Sequence, residues 1–463
     1  MMPISGETAV AKLHGQASDL TRTSTAIPSN HADDFPQGCS FSPDGSCILT
    51  SIGKTLRLYN TADAFTDSDW KAALHCSGAE SIRSFAWYPH MQSHDPSTCC
   101  FLTTSRDQPV HLYDAYTGKV RAAYCPYNAL DELEAPNVAI FHPTHGQTLV
   151  AGGFRTDRRI YVFDVHRPGR QAQAVWKLGN TKRSTDGQKG LVSALAYSRQ
   201  HEALLAVGTY APGSIYLYDV RQPPSQVLIG LSLVGHGKHS VKRKRRFWVS
   251  TDQNNNNAED EWISSAKWQW LVQKTQTGVT HLQFDDAYTM FSASRRSNVV
   301  LAWDLRMFRP LEDEDNSTMN SPTGALQSYS TVSDTNQRLG FDFDAGHNTL
   351  FVGGRDGTVR LYNAQNGQPR GQIRLASSLA AQPEHAEHSC AINGISYRRM
   401  SNGSRWLAVS TGERRFPAEQ EYDDDDPARN TSPPGSLHLY HLIDDVQRDQ
   451  NMSYCASTQE NDK

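Results

Sequence analysis

The sequence lacks the features that mark secreted, membrane-spanning or polycationic proteins. Its opening residues, MMPISGETAV, have neither the charged nor the apolar region of a signal peptide. The longest apolar stretch, 227–234, is interrupted by Gly and Ser and is far too short to span a bilayer. The net charge is −4. Any nucleic acid would therefore have to be bound by a local patch of basic side chains rather than by the chain as a whole.

Cysteine pairs and enzyme motifs are also missing. The eight cysteines are scattered with no C-x-x-C pair, which is typical of free thiols in a reducing compartment. The tripeptide GKT (53–55) resembles the end of a phosphate-binding loop, but Ile48 stands where the first Gly should be, which favours an ordinary turn. His385, His388 and Cys390 lack a fourth metal ligand at a familiar spacing, and neither G-x-S-x-G nor H-E-x-x-H occurs. We therefore expect no enzyme activity, no cofactor and no metal, and a location in the cytosol or nucleus.

What the sequence has instead is a repeat. Seven short alternating strands end in an aromatic residue followed by Asp, Asn or His: LRLYN (56–60), VHLYD (110–114), IYVFD (160–164), IYLYD (215–219), VLAWD (300–304), VRLYN (359–363) and LHLYH (437–441). Each resembles the Trp-Asp tag that closes the third strand of a β-propeller blade. The tags lie 54, 50, 55, 85, 59 and 78 residues apart, against about 40–45 for an undecorated blade. The chain is therefore predicted to be all-β, a single seven-bladed WD40 β-propeller with disordered insertions and termini.

The rest of the chain is divided around this repeat. Alternating hairpin strands precede each tag, and between them three segments are depleted in regularly spaced apolar residues, which indicates disordered insertions: 237–277, 309–334 and 413–436. We place the propeller at 20–444, between disordered tails at 1–19 and 445–463. The segment 20–27 is expected to supply the strand that completes the last blade.

Arginine recurs in the turns that join the second and third strands of the predicted blades. Five of the seven turns carry it, at Arg106, Arg155, Arg158, Arg295, Arg296, Arg355, Arg414 and Arg415. In a propeller these turns open on one face around the central channel, and arginine suits forked contacts to phosphate and stacking on bases. The alternative is that each arginine is merely solvated beside an aspartate, such as Asp107 or Asp356, that ties the hairpin together.

The 237–277 insertion carries a second basic feature, the run Lys242, Arg243, Lys244, Arg245 and Arg246. The insertion separates the outer strand of one predicted blade from the inner strand of the next, so both of its ends lie on the face that carries the arginine turns. The run is therefore placed to overhang those arginines. A basic run of this length is equally typical of a nuclear import signal, and both interpretations can hold.

Several segments outside the blade pattern resemble the telomerase Cajal body protein family, WD-repeat proteins that bind small Cajal body RNAs: DGSCILT (44–50), SRDQPVHLYDAYTGKVRAAYCPYNALDEL (105–133), RPGR (167–170), TNQR (335–338) and RRFP (414–417). The resemblance runs over all seven predicted blades and adds Arg338 to the RNA-binding candidates. It implies a noncatalytic scaffold that recognises small nuclear guide-type RNA or telomerase RNA and assists localisation or assembly of the particle. It further implies RNP proteins as partners, chaperonin-assisted folding, a monomer without membrane association, and residence in the nucleus or Cajal body with a cytoplasmic pool.

Two alternatives stay open at the level of the sequence. Family members also resemble fungal splicing-associated propellers, so the alternative function is a splicing-associated or general protein–protein scaffold without direct RNA binding. Steep salt dependence of binding to small RNA would separate these functions, because it reports phosphate neutralisation. The segment YNALDEL (127–133) is either a partner contact or a staple between blades two and three, and we favour the staple.

Overall fold

The computed structural model describes most of the predicted propeller, and the described residues form seven four-stranded antiparallel sheets. The described ranges are 11–16, 35–66, 70–128, 130–153, 159–178, 188, 190–210, 213–221, 227–232, 278–285, 288–305, 327–375, 390–413 and 435–442.

Blades one to four follow the order of the chain, each from an inner strand to an outer strand. Blade one contains β2 (Pro36–Phe41), β3 (Cys47–Ile52), β4 (Thr55–Asn60) and β5 (Leu74–Ser77), with a single helical turn, α1 (Asp63–Thr66), after β4. Blade two contains β6 (Ile82–Trp87), β7 (Cys100–Ser105), β8 (Val110–Asp114) and β9 (Val120–Tyr124). Blade three contains β10 (Val138–Phe141), β11 (Thr148–Gly152), β12 (Arg159–Asp164) and β13 (Ala174–Lys177). Blade four contains β14 (Val192–Tyr197), β15 (Leu204–Thr209), β16 (Ser214–Asp219) and β17 (Val227–Ser232).

The remaining three blades complete the ring. Blade five contains β18 (Val279–Phe284), β19 (Thr289–Ser294), β20 (Val299–Asp304) and β21 (Gln327–Ser330). Blade six contains β22 (Phe341–Asp344), β23 (Thr349–Gly353), β24 (Thr358–Asn363) and β25 (Pro369–Arg374). Blade seven contains β26 (Ile392–Arg399), β27 (Arg405–Thr411), β28 (Ser436–Leu442) and, as its outer strand, β1 (Ala11–Gln16). The predicted seven-bladed propeller is thereby confirmed.

The strand that closes the ring comes from further upstream than the sequence suggested. β1 pairs antiparallel with β28, from Ala11 opposite Leu442 to Gln16 opposite His438. The prediction that 20–27 supplies this strand is wrong, and so is the assignment of all of 1–19 to a disordered tail. The segment 20–27 itself lies outside the described residues.

The seven tags lie where a propeller requires them, in the third strand of each blade. Their aromatic side chains pack inside the sheet stack, and those of Tyr59 and Phe163 are completely buried. The polar residue that follows caps the next turn: Asp114 Oδ1 accepts hydrogen bonds from the backbone N–H groups of Tyr116 and Thr117, both at 2.8 Å. The same turn bond is made by Asp164, Asp219 and Asn363, so these tags combine an apolar anchor with a turn-forming side chain.

Hydrophobic clusters lie between neighbouring blades, because each sheet is covered on both faces. One cluster joins blades one and two through Leu49 and Phe101, and another joins blades seven and one through Leu439 and Ile48. The second strands β3 and β7 are consequently buried along their whole length. The blades depend on one another for burial, as stacked repeats do.

The boundaries of two predicted insertions need correction. The segment 309–334 contains β21, whose Tyr329 is fully buried and donates a hydrogen bond from its hydroxyl to the Ala364 carbonyl at 2.5 Å. Residues 327–330 of this segment are therefore the outer strand of blade five. The strand was not predicted because it has only four residues and a single large apolar side chain. The segment 413–436 ends one residue inside β28. The insertion 237–277 and the tail 445–463 lie outside the described residues.

Candidate nucleic-acid interface

One mouth of the central channel is lined by side chains that β-bulges turn out of the inner strands. In five blades the residue after the first ladder pair of the inner strand has no opposite residue on the second strand: these are Gln37, Arg83, Ser193, Thr280 and Asn393. All five line the channel. A bulge of this kind re-aims a side chain, and its repetition around the ring directs a set of polar groups to one opening.

The arginine-bearing turns lie on the same face as this mouth. The backbone N–H groups of Arg106, Arg295 and Arg355 donate to the carbonyls of Ser81, Gly278 and Val332, at 3.1, 3.0 and 2.7 Å. Those carbonyls belong to the connections that lead into inner strands, so the turns and the connections share a face, as expected. The 237–277 insertion lies between β17 and β18, and the described residues that flank it, Ser232 and Gly278, lie on this face as well.

Four arginines converge on the channel mouth. Arg106 and Arg295, which the turn pattern predicted, are joined there by Arg338 and by Arg83. The cavity they line has a volume of about 770 Å³, and among its described lining residues the only carboxylate is Asp342. This opening therefore carries positive charge in a chain whose net charge is −4.

Two of these arginines have unusual surroundings. The guanidinium of Arg295 lies 4.7 Å from the centroid of the Tyr210 ring, and its buried Nε has no hydrogen-bond acceptor. Arg338 is exposed to the channel but enclosed by the ring, and the loss of bulk water lowers the pKa of its guanidinium. Burial, and then the charge of Arg338, lowers the pKa of His281 well below its ordinary value, so this imidazole is neutral at pH 7.

Asp342 is held by the protein rather than by the arginines. It accepts hydrogen bonds from Gln283 Nε2 at 2.5 Å and from the backbone N–H groups of Tyr397 and Phe343 at 2.7 and 2.8 Å. Burial raises the pKa of this carboxyl, and these hydrogen bonds oppose the shift. Asp342 thus fastens blades five, six and seven together below the mouth.

The outer part of the same face is more balanced in charge. Arg296 and Arg355 line a second hollow, of about 450 Å³, together with Asp334 and Glu413. Arg355 Nη2 lies 3.2 Å from Glu413 Oε1 and its Nη1 donates to the Asp334 carbonyl at 3.3 Å.

The alternative interpretation of the turn arginines applies best at this outer rim. Arg106 Nε lies 3.3 Å from Asp107 Oδ2, with both side chains largely exposed. Asp356 ties its own hairpin through Arg360, at 2.5 Å between Oδ2 and Nη2. Exposed pairs of this kind contribute little to stability and remain available to other partners.

Several predicted residues lie outside the described part of the chain: Arg155, Arg158, Arg414, Arg415, and the basic run Lys242, Arg243, Lys244, Arg245 and Arg246. The same holds for His385 and His388. In the residues that are described, no group of three or more His, Cys, Asp or Glu side chains is arranged to hold a metal ion. Seven cysteines fall within these ranges, and all are free thiols. None of the described helices is long and apolar enough to cross a membrane.

The sequence did not single out Arg83, although a signal for it exists. A polar residue recurs immediately after the first apolar residue of an inner strand, as in Ile82-Arg83, Val279-Thr280 and Ile392-Asn393. Arg199 and Arg398 were also missed. Arg199 follows the end of inner strand β14, and Arg398 lies near the end of inner strand β26. Burial lowers the pKa of the Arg398 guanidinium, and the nearby charge of Arg199 lowers it further.

The YNALDEL segment packs against blade three as a staple. The Arg170 guanidinium lies 4.0 Å from the centroid of the Tyr127 ring, and Arg170 Nη1 lies 3.1 Å from Asp131 Oδ1. The Tyr161 hydroxyl donates to the Tyr127 carbonyl at 2.9 Å. Two of the family-like segments, 105–133 and RPGR, are thus brought together, and these contacts support the structural interpretation of the loop.

The chain is a seven-bladed WD-repeat β-propeller with an arginine-rich channel mouth. The family model described as "WD domain, G-beta repeat" matches residues 330–363, which run from the end of β21 to the tag of blade six.

The resemblance seen in the sequence is confirmed by similar proteins. The chain is 29% identical to telomerase Cajal body protein 1 of Mesocricetus auratus over 89% of its own length and 63% of that relative. It is 29% identical to telomerase Cajal body protein 1 of Homo sapiens, over 86% of this chain and 60% of that relative. It is also 26% identical to the guanine nucleotide-binding protein negative regulator 1 of Schizosaccharomyces pombe, over 71% of this chain and 70% of that protein. The chain thus spans less than two thirds of the length of the telomerase Cajal body proteins it matches.

Proposed function

We propose that this protein is a noncatalytic RNP scaffold that binds a small nuclear guide-type RNA or telomerase RNA through its arginine-bearing face. The observation that carries the proposal is the convergence of Arg83, Arg106, Arg295 and Arg338 on one mouth with a single lining carboxylate among the described residues. The names of the similar proteins support a role in a telomerase or Cajal body particle. RNP proteins as partners, nuclear or Cajal body residence with a cytoplasmic pool, a monomeric state and chaperonin-assisted folding belong to the same proposal.

The chemistry of the face suits a flexible polyanion. Guanidinium groups make forked hydrogen bonds to phosphate and stack on bases, and arginine is more weakly hydrated than lysine, so it loses less on contact. The turn arginines are spread around the rim while Arg338 and Arg83 lie within the mouth. An RNA strand that crosses the rim would therefore meet phosphate-binding groups from several blades at once.

The test is charge reversal at the rim. Arg106, Arg295 and Arg355 are changed together to Glu, and RNA that copurifies with the native protein is used as the ligand. We expect binding to be abolished at physiological salt. Each single Arg→Gln variant should lower the slope of log K against log salt by about 0.7, the value for one phosphate contact to a single strand, or cost about 1–3 kcal/mol where a base contact is lost.

The matched control reverses three exposed basic residues at the opposite ends of the strands, Lys119, Arg167 and Arg399. This variant has the same net charge as the rim variant, so it separates a local site from a general charge effect. If both triple variants fold and bind RNA equally, the assignment of this face is wrong.

The second candidate is a scaffold, splicing-associated or more general, that binds protein partners without direct RNA contact. The hollow lined by Arg296, Arg355, Asp334 and Glu413 favours it, because side chains of both signs suit a peptide better than a polyanion. Purified protein that retains no RNA, and whose partners stay bound after RNase treatment, would establish this alternative.

A further inference from the structure

The channel mouth is a recess rather than a flat charged surface. Its volume of about 770 Å³ lies within the range of about 300–1,000 Å³ that is usual for small-ligand sites. The recess is bounded by the bulged residues of the inner strands on its sides and by the turn arginines at its edge. The rim and the recess therefore offer different surfaces to a ligand that reaches this face.

The charges in the recess call for an anion. In the described part of the structure, neither Arg295 nor Arg338 forms an ion pair with a carboxylate. Asp342 is already occupied by three hydrogen-bond donors. Neighbouring His281 is kept neutral, which avoids a further positive charge beside Arg338. Enclosure disfavours the charged form of the Arg338 guanidinium and so lowers its pKa, and a bound phosphate would stabilise that charge.

The recess also has the groups that recognise a base. Aromatic rings of Phe85 and Tyr210 line it, and the amides of Gln37 and Asn336 supply both donors and acceptors. Proteins bind unpaired RNA bases with this combination of groups. The base stacks on an aromatic or guanidinium plane, and polar groups form hydrogen bonds with its edge. A base that is paired within a duplex cannot enter such a recess.

We propose that the channel mouth binds one unpaired nucleotide that is turned out of an RNA strand lying on the arginine-bearing face. Arg338 and Arg83 hold its phosphate, and its base lies among the aromatic and amide side chains. The protein therefore reads RNA in single-stranded form. This inference rests on the proposed function, but the residues that test it, Arg338 and Arg83, are not changed in the rim variant.

The experiment uses the full chain and a random-sequence 12-nucleotide RNA that carries one 4-thiouridine, either single-stranded or annealed into a blunt duplex. Binding is measured by fluorescence anisotropy over a salt series, and photocrosslinked peptides are mapped by mass spectrometry. We expect the single strand to bind about tenfold or more tightly than the duplex. The crosslinks should map to Phe85 or Tyr210.

The channel variants are Arg338→Gln and Arg83→Gln, with Arg338→Lys as the charge-preserving variant and Arg167→Gln as the surface control. Each of the two channel Gln variants should bind the single strand about tenfold more weakly, the lower part of the range for a lost forked contact. Arg338→Lys should recover part of that loss, and Arg167→Gln should bind like the wild type. Arg83→Gln keeps the test decisive if Arg338→Gln does not fold.

The outcomes separate the pocket from the proposed function. If the rim triple variant loses RNA while both channel variants bind normally, or if crosslinks map only outside the channel, the nucleotide pocket is wrong and the RNA-binding face stands. If RNA binding is insensitive to every variant, both are wrong. Inorganic tripolyphosphate is titrated in parallel. If it binds more tightly than the oligonucleotide and depends on Arg338, the recess takes a free polyphosphate, and the nucleotide assignment is overturned.

Discussion

Acid should weaken the last blade through a single buried imidazole, His438. This side chain lies in β28, the strand that pairs with β1, and is only 4% exposed. Its Nε2 lies 2.6 Å from the Ser436 hydroxyl, and its buried Nδ1 has no hydrogen-bond partner. Burial lowers the pKa of His438 from 6.5 to about 4. The neutral imidazole is therefore the form that the fold accepts.

The sign and size of the effect follow from this shift. Between pH 6.5 and about 4 the unfolded chain binds the proton more readily than the folded chain, so stability rises with pH and is lost as pH falls. The shift in pKa corresponds to about 3 kcal/mol of unfolding free energy lost by pH 4. Replacing His438 with Gln keeps a hydrogen-bonding group of similar length but removes the titration.

Urea unfolding followed by tryptophan fluorescence at pH 7 and pH 4.5 provides the measurement. The loss of unfolding free energy on acidification should be about 2–3 kcal/mol smaller in His438→Gln than in the wild type. The control is His166→Gln, which makes the same substitution at an exposed histidine. Equal pH dependence in the wild type and His438→Gln would show that His438 takes up its proton without cost and would refute the reasoning.

Three further predictions concern the ring itself. Truncation after residue 363 should give insoluble protein, because removing blade seven exposes sheet edges on both sides of the gap; a soluble, folded 1–363 fragment would contradict the closed ring. Replacing 237–277 with a short Gly-Ser linker should change the melting temperature by only a few degrees and weaken RNA binding, whereas aggregation of this variant would mean that the segment packs on the propeller. Gly394→Ala should lower the urea midpoint by the equivalent of about 1–3 kcal/mol or more, because the added Cβ would lie 2.3 Å from the Cys39 nitrogen. The control is Gly38→Ala, whose added Cβ has its nearest neighbouring atom at 3.9 Å. Equal midpoints in the two variants would contradict the tight approach of the inner strands.

The parts of the fold that the sequence predicted are those with a local cause. A tag such as Tyr113-Asp114 needs its aromatic ring for the space between blades and its carboxylate for the following turn, so both requirements appear as adjacent residues. The positions of the arginine turns followed from the tags, because each turn lies in the connection that leads into a tagged strand. Seven repetitions made the architecture predictable even though only one WD repeat matches the family model.

The parts that were missed depend on distant partners. β1 is recognisable as a strand only through β28, from which it is about 420 residues away in the chain. β21 is a short outer strand with one buried aromatic ring, so it has no periodicity of its own. Arg83 points into the channel because of a register shift between β6 and β7, which depends on ladder geometry rather than on residue type. Of the four arginines at the channel mouth, Arg106, Arg295 and Arg338 were thus predicted and Arg83 was missed.

The pairing of β1 with β28 also makes the order of synthesis matter. Strand β1 finds its partner only after about 420 further residues have been added, which at about 5–20 residues per second takes roughly 20–85 seconds. Throughout that interval blade seven cannot form, and the edges of the sheets that will flank it stay open to other strands. Translation speed should therefore affect the yield of this protein.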